Sequence, residues 1–141
     1  YGKSNDPMSR QDIARIYSLL EIGRYTTLRA QAAVERGSRP GPEMSTGKIA
    51  ASVLVQNLRD AALALTGPYG MLFGDDAPMR GRVHQMALST PLFSIGGGTD
   101  QVQKNIVGER VLGLPAEPRP DKEVAFRELA TGGILWRGKG D

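Results

Sequence analysis

An all-α fold, an antiparallel four-helix bundle, is the class this sequence predicts, and three observations carry it. Two long stretches place apolar residues three and four positions apart, as one face of a helix requires. Each ends on glycine and proline punctuation that stops a helix and turns the chain back. No stretch alternates apolar and polar residues long enough to argue for a strand. Short connections between two long and two shorter helices favour neighbours that reverse direction. No internal repeat is visible.

The first helix opens at Asp6-Pro7, because aspartate caps free N–H groups and proline costs no hydrogen bond at the first helical position. Ile13, Ile16, Tyr17, Leu20, Thr27 and Val34 follow helical spacing to Gly37, a left-handed cap, which gives a helix over about residues 8 to 36. Ser38-Arg39-Pro40-Gly41-Pro42 is a rigid turn. A second helix is predicted from about Pro42 to Thr66, with Ala50, Leu54, Leu58, Ala61 and Leu65 on one face and Gly67-Pro68 as its stop. After a loop from Tyr69 to Pro78, a third runs over about Met79 to Leu88 and breaks before Pro91. Asp100 and Gln103 have the spacing of a capping box, and open a short helix bearing Val102, Ile106, Val107 and Val111, ended by Gly113 and Pro115. A further helical turn is read over Asp121 to Ala130, before a glycine-rich tail.

The 141 residues suit one domain, since a chain of that length buries roughly 68% of its unfolded surface. Eighteen basic and fifteen acidic residues, intermixed, give +3 without the basic stripe that nucleic-acid binding uses. With no cysteine, disulfides and thiolate zinc sites are excluded. No signal peptide is recognisable and no apolar run nears the ~20 residues of a membrane helix, so a cytoplasmic location is the simplest expectation. Tyr1-Gly2-Lys3-Ser4-Asn5-Asp6 begins without methionine and reads like the middle of a loop, as a piece of a longer chain would.

The run Ser94-Ile95-Gly96-Gly97-Gly98-Thr99-Asp100-Gln101-Val102-Gln103-Lys104-Asn105 is the most informative feature. Three glycines before a helix start expose bare backbone, and first-turn N–H groups favour anions. Either a flexible loop tip or a ligand mouth satisfies that pattern.

With Glu109-Arg110-Val111-Leu112-Gly113-Leu114-Pro115 behind it, this run resembles the last helix and preceding loop of the acyl-CoA dehydrogenases. The long first helix, Arg39-Pro40-Gly41-Pro42-Glu43 and Leu65-Thr66-Gly67-Pro68-Tyr69-Gly70 are also similar to the carboxy-terminal helical domain of bacterial, especially actinobacterial, members. The resemblance covers about residues 6 to 115, so residues 1–115 are expected to form that domain and 116–141 an extension. It implies FAD as cofactor, α,β-dehydrogenation of an acyl-CoA thioester in fatty-acid or steroid side-chain oxidation, an external electron acceptor, and a dimer or tetramer. Gly98, Thr99 and Gln101 match the family's glycine, threonine and glutamine beside the flavin nucleotide; for Thr99 and Gln101, helix capping and solvation are the other reading.

Two places depart from the family. Where many members have a glutamine and a Gly-Gly-Asn-Gly turn that meets the neighbouring subunit's FAD, this chain has Ala64 and Gly67-Pro68-Tyr69-Gly70. Where many have the catalytic glutamate, it has Gly97, which cannot accept a proton. The base is then expected upstream of Tyr1, as in some relatives, or in a partner subunit, with this chain as a non-catalytic assembly component. Asp100 is the nearest carboxylate, but capping would turn it toward backbone N–H groups. The fragment alone is expected to be inactive.

Other motifs are weaker. Ser45-Thr46-Gly47-Lys48 has the Ser-x-x-Lys spacing of penicillin-recognising enzymes without companion motifs, and reads as helix surface. His84, the single histidine, rules out a paired-histidine metal site and suits a half-buried contact. Asp75-Asp76 fits a solvated loop or a cation. Trp136 either anchors the tail on another subunit or belongs to a frayed end.

Overall fold

The computed structural model describes residues 2–39, 41–42, 44–116 and 124–125. Trp136 and nearly all of the Asp121 to Ala130 turn lie outside them, as do Pro40 and Glu43. The described residues contain four α-helices and no strand: α1 (Pro7–Glu35), α2 (Met44–Thr66), α3 (Arg82–Ile95) and α4 (Asp100–Ile106). Short 3-10 turns at Gly67–Met71 and Pro78–Gly81 lead from α2 to α3, and a π turn, Val107–Val111, prolongs α4.

Local signals fix α1. The Asp6 carboxylate accepts from Ser9 N at 2.9 Å and from Ser9 Oγ at 2.6 Å, with Pro7 in the first turn. At the far end, Gly37 at φ +83° lets its own N–H reach Val34 O and that of Ser38 reach Ala33 O.

Helix α2 is central, packing on α1 and on both α3 and α4. The α1–α2 and α2–α3 pairs are antiparallel: Lys3, before α1, donates to Ala64 O near the end of α2, while Lys48 near the start of α2 donates to Ser94 O at the end of α3. Small residues permit this close approach. Ser52, Ala61 and Thr66 are the buried positions of α2, and Val83 and Thr90 those of α3.

Two boundaries of α3 differ from the sequence expectation. It starts at Arg82 rather than Met79, because Met79 and Arg80 are left-handed at φ +52° and +55°. It also continues through Pro91 to Ile95. The proline removes a backbone donor, yet the final turn is held from outside, with Phe93 O and Ser94 O bound by Ser52 and Lys48 of α2.

The apolar face expected of α1 is not covered. Ile13, Tyr17 and Leu20 are 54%, 64% and 50% exposed, because among the described residues α2 is the main element that packs along the helix. Likewise Leu58 of α2 is half exposed. The buried apolar side chains among the described residues are Ala61, Ala77 and Val83, all small. Hydrophobic burial inside this chain is therefore modest, and much of its apolar surface remains to be covered.

Candidate functional site

The loop between α3 and α4 begins where Gly96 ends α3, its N–H donating to Leu92 O at 2.7 Å. Gly97 and Gly98 follow at φ +65° and +85°, a region closed to most side chains. Nothing lies within 4 Å of a Cβ placed on Gly97, whereas one on Gly98 meets only the Gln103 side chain among polar neighbours, at 2.9 Å. That amide reaches back to donate to Gly97 O at 3.0 Å. At Gly97 the loop is bare backbone facing open space.

Thr99 caps α4: its Oγ1 accepts from Val102 N at 3.2 Å. The expected capping box does not form: the cap lies one residue earlier, Gln103 donates to Gly97 O instead, and Asp100 is the first helical residue. Its carboxylate turns inward to α2, because a stronger partner waits there. Lys48 Nζ is 2.7 Å from Asp100 Oδ1, with the two side chains only 21% and 18% exposed.

Three residues of α2 spaced four apart build this inner wall. Lys48 donates to Asp100 and, at 3.2 Å, to Ser94 O. Ser52 Oγ lies 2.7 Å from Phe93 O and 2.9 Å from Asp100 Oδ1, sharing its single proton between two acceptors. Gln56 donates to Ser94 Oγ at 2.8 Å. The hydrogen bond from Lys48 above all, then those from Ser52 and Ser94, hold the Asp100 carboxyl below its ordinary value of 3.8 against the opposing effect of burial. A carboxylate so stabilised is a weak base.

Gly98, Thr99 and Gln101 therefore share one loop mouth, Thr99 half-buried and Gln101 exposed. A hydroxyl, a carboxamide and first-turn N–H groups beside side-chain-free backbone fit an edge of an anionic dinucleotide such as FAD. Gly97 brings no carboxylate to it. The turn after α2 is open at Gly67 but crowded at Gly70, where a Cβ would stand 2.6 Å from Thr66 Oγ1, and Pro68 has no N–H to offer. The sequence pointed to Lys48 only as the end of Ser45-Thr46-Gly47-Lys48 and to Ser52 and Gln56 not at all; their four-residue spacing was the available signal, since it sets all three on one helix face.

The other motifs do not join this mouth. Lys48 is engaged with Asp100 and Ser94, so it is neither free surface nor an acyl-enzyme base for Ser45. The His84 ring meets the Phe73 ring edge-on, centroids 5.6 Å apart. Asp75 and Asp76 are exposed, and no group of three or more metal-binding side chains occurs among the described residues. Nor is any helix there long and apolar enough to cross a membrane. A groove of about 930 Å³ opens between α1 and α2, lined by Leu19, Leu20, Gly23, Ala30, Ala50 and Leu54 among others, and it does not reach the glycine loop.

The family model for the acyl-CoA dehydrogenase C-terminal domain matches residues 2–112. Over 118 residues the chain is 30% identical to acyl-CoA dehydrogenase IpdE1 of Mycobacterium tuberculosis, covering 82% of this chain and 29% of that protein. It is 26% identical over 113 residues to acyl-CoA dehydrogenase FadE26 of the same organism, covering 77% and 28%. A solved structure described as the Tcur3481-Tcur3483 steroid ACAD shares the fold with a TM-score of 0.73 at 24% identity, covering 83% of this chain and 31% of its own. The chain spans less than a third of the length of each of these proteins.

Proposed function

The chain belongs to the acyl-CoA dehydrogenase family, and from that membership we propose that it works as the carboxy-terminal part of an FAD-dependent enzyme that introduces an α,β double bond into an acyl-CoA thioester. Residues 1–115 form its helical domain and 116–141 an extension. The observation that supports this reading is the α3–α4 loop, open at Gly97 and capped by Thr99; Gly98, Thr99 and Gln101 in it match, by resemblance, the residues that meet the flavin nucleotide in the family.

The reaction removes a proton from the carbon next to the thioester carbonyl and a hydride from the one beyond. When bound, FAD supplies the hydride acceptor, and its electrons pass on to an external carrier. Thr99 would offer its hydroxyl and Gln101 its amide to the nucleotide, while Gly97 would let ligand and backbone meet without an intervening side chain. The proton needs a carboxylate within hydrogen-bond reach. Gly97 has none, and Asp100 is turned inward and stabilised as the anion. The base therefore comes from an upstream helix of the longer chain or from a partner subunit, and the isolated bundle does not turn over an acyl-CoA.

The exposed apolar residues of α1 and the groove beside them support an oligomer, in which another subunit or domain covers them. A second reading, a non-catalytic assembly subunit of a heteromeric enzyme, is favoured by Gly97 together with Ala64 and Pro68. The two-component name of the steroid ACAD that shares this fold agrees with it, and a steroid side chain joins a fatty acyl chain as candidate substrate. Either reading suits a cytoplasmic protein.

Flavin absorbance of the full-length protein, purified with and without a co-encoded homologue, is the test. Flavin in both preparations supports a self-sufficient enzyme, and flavin only in the mixture supports a shared site. Colourless protein in both would refute the proposal.

A further inference from the structure

We propose that Lys48 is a positioning residue for the cofactor loop, holding the Asp100 carboxylate against α2 and cancelling its charge at the mouth, while Ser52 and Gln56 of the same helix face tie the α3 flank to α2 without it. The inference rests on the reading of that loop as cofactor-facing.

One ammonium group reaches both flanks of the loop, Ser94 O at the end of α3 and Asp100 Oδ1 at the start of α4. Between those flanks the backbone passes through two left-handed glycines, which impose little stiffness of their own. The distance between the flanks is therefore set from α2, with Ser52 and Gln56 completing the same stripe. Charge adds a second argument. Asp100 stands between Thr99 and Gln101 in sequence, so an uncompensated carboxylate there would repel an anionic dinucleotide. Lys48, largely shielded from water, removes that repulsion without touching the ligand. Remote salt screens such a pair far less than it screens a surface pair.

The test is FAD affinity of the full-length protein, titrated by flavin fluorescence, with thermal unfolding of the FAD-free form measured alongside. Lys48→Met should weaken FAD binding by about tenfold or more, because a partly desolvated charge is left unpaired. Lys48→Met/Asp100→Asn should regain an affinity within about threefold of wild type, a coupling that loss of packing alone would not give. Asp100→Asn by itself, which leaves Lys48 on the Ser94 carbonyl, should also stay within about threefold; it decides the matter if Lys48→Met does not fold. Wild-type affinity in Lys48→Met, a double variant no tighter than Lys48→Met, or a tenfold loss in Asp100→Asn would each overturn the inference alone. FAD binding absent from wild type, or undiminished in Thr99→Val/Gln101→Ala, overturns the loop reading and this inference with it.

Discussion

The hydroxyl of Ser52, whose side chain is fully buried, lies 2.7 Å from the carbonyl oxygen of Phe93 and ties α2 to the last turn of α3. That turn follows Pro91, where the helix has already lost a backbone donor. Ser52→Ala should destabilise the protein by about 1 kcal/mol, the net contribution of a typical intramolecular hydrogen bond. Denaturant unfolding measures it. A loss below a few tenths of a kcal/mol would mean that α3 persists beyond Pro91 without this bond.

Gly97, which by resemblance stands where many acyl-CoA dehydrogenases have the catalytic glutamate, has φ +65° with open space around it. Gly97→Glu should then cost about 1–2 kcal/mol through backbone conformation rather than a clash. With the true base elsewhere, acyl-CoA turnover by the full-length enzyme should not rise. Increased turnover in steady-state assays would show that the missing carboxylate was what limited the reaction.

Thr99 serves the helix cap and, in the proposed function, the cofactor. Thr99→Ala should lose about 1 kcal/mol of stability with the cap, together with FAD affinity. Thr99→Ser, which keeps the hydroxyl, should restore both. A Thr99→Ala protein as stable as wild type, by thermal unfolding, would remove the capping role.

Acid should weaken the fold through Asp6 and Asp100. The hydrogen bonds of Asp6 with the Ser9 side chain and backbone, and of Asp100 with Lys48, hold both carboxyls below their ordinary 3.8 in the folded state. A group depressed on folding contributes stability that is complete above its unfolded value and is lost as pH falls through the folded one. Unfolding free energies measured from about pH 5 downward should therefore fall less steeply in Asp6→Asn/Asp100→Asn than in wild type. Parallel curves would contradict the assignment.

Local signals were legible in the sequence where the chain folds on itself. Asp6-Pro7 and Gly37 mark α1 within one or two residues, because a cap is a contact between near neighbours. The start and end of α3 escaped, since the left-handed Met79 and Arg80 and the outside support of Phe93 O and Ser94 O depend on tertiary placement. Asp100 has the pattern of a cap, but its partner Lys48 is 52 positions away, a separation no local pattern reports. The glycine mouth was likewise visible. The stripe behind it was not assigned, because spacing shows that Lys48, Ser52 and Gln56 share a face without showing what that face meets.

Amide hydrogen exchange across residues 96–101 of the full-length protein, with and without saturating FAD, addresses the cofactor mouth most directly. Bound FAD should slow exchange there and in the first turn of α4, while the Gly67–Met71 turn, which lacks the N–H of Pro68, stays unchanged. FAD that binds without altering exchange at the glycine loop would contradict the assignment of this mouth to the flavin nucleotide.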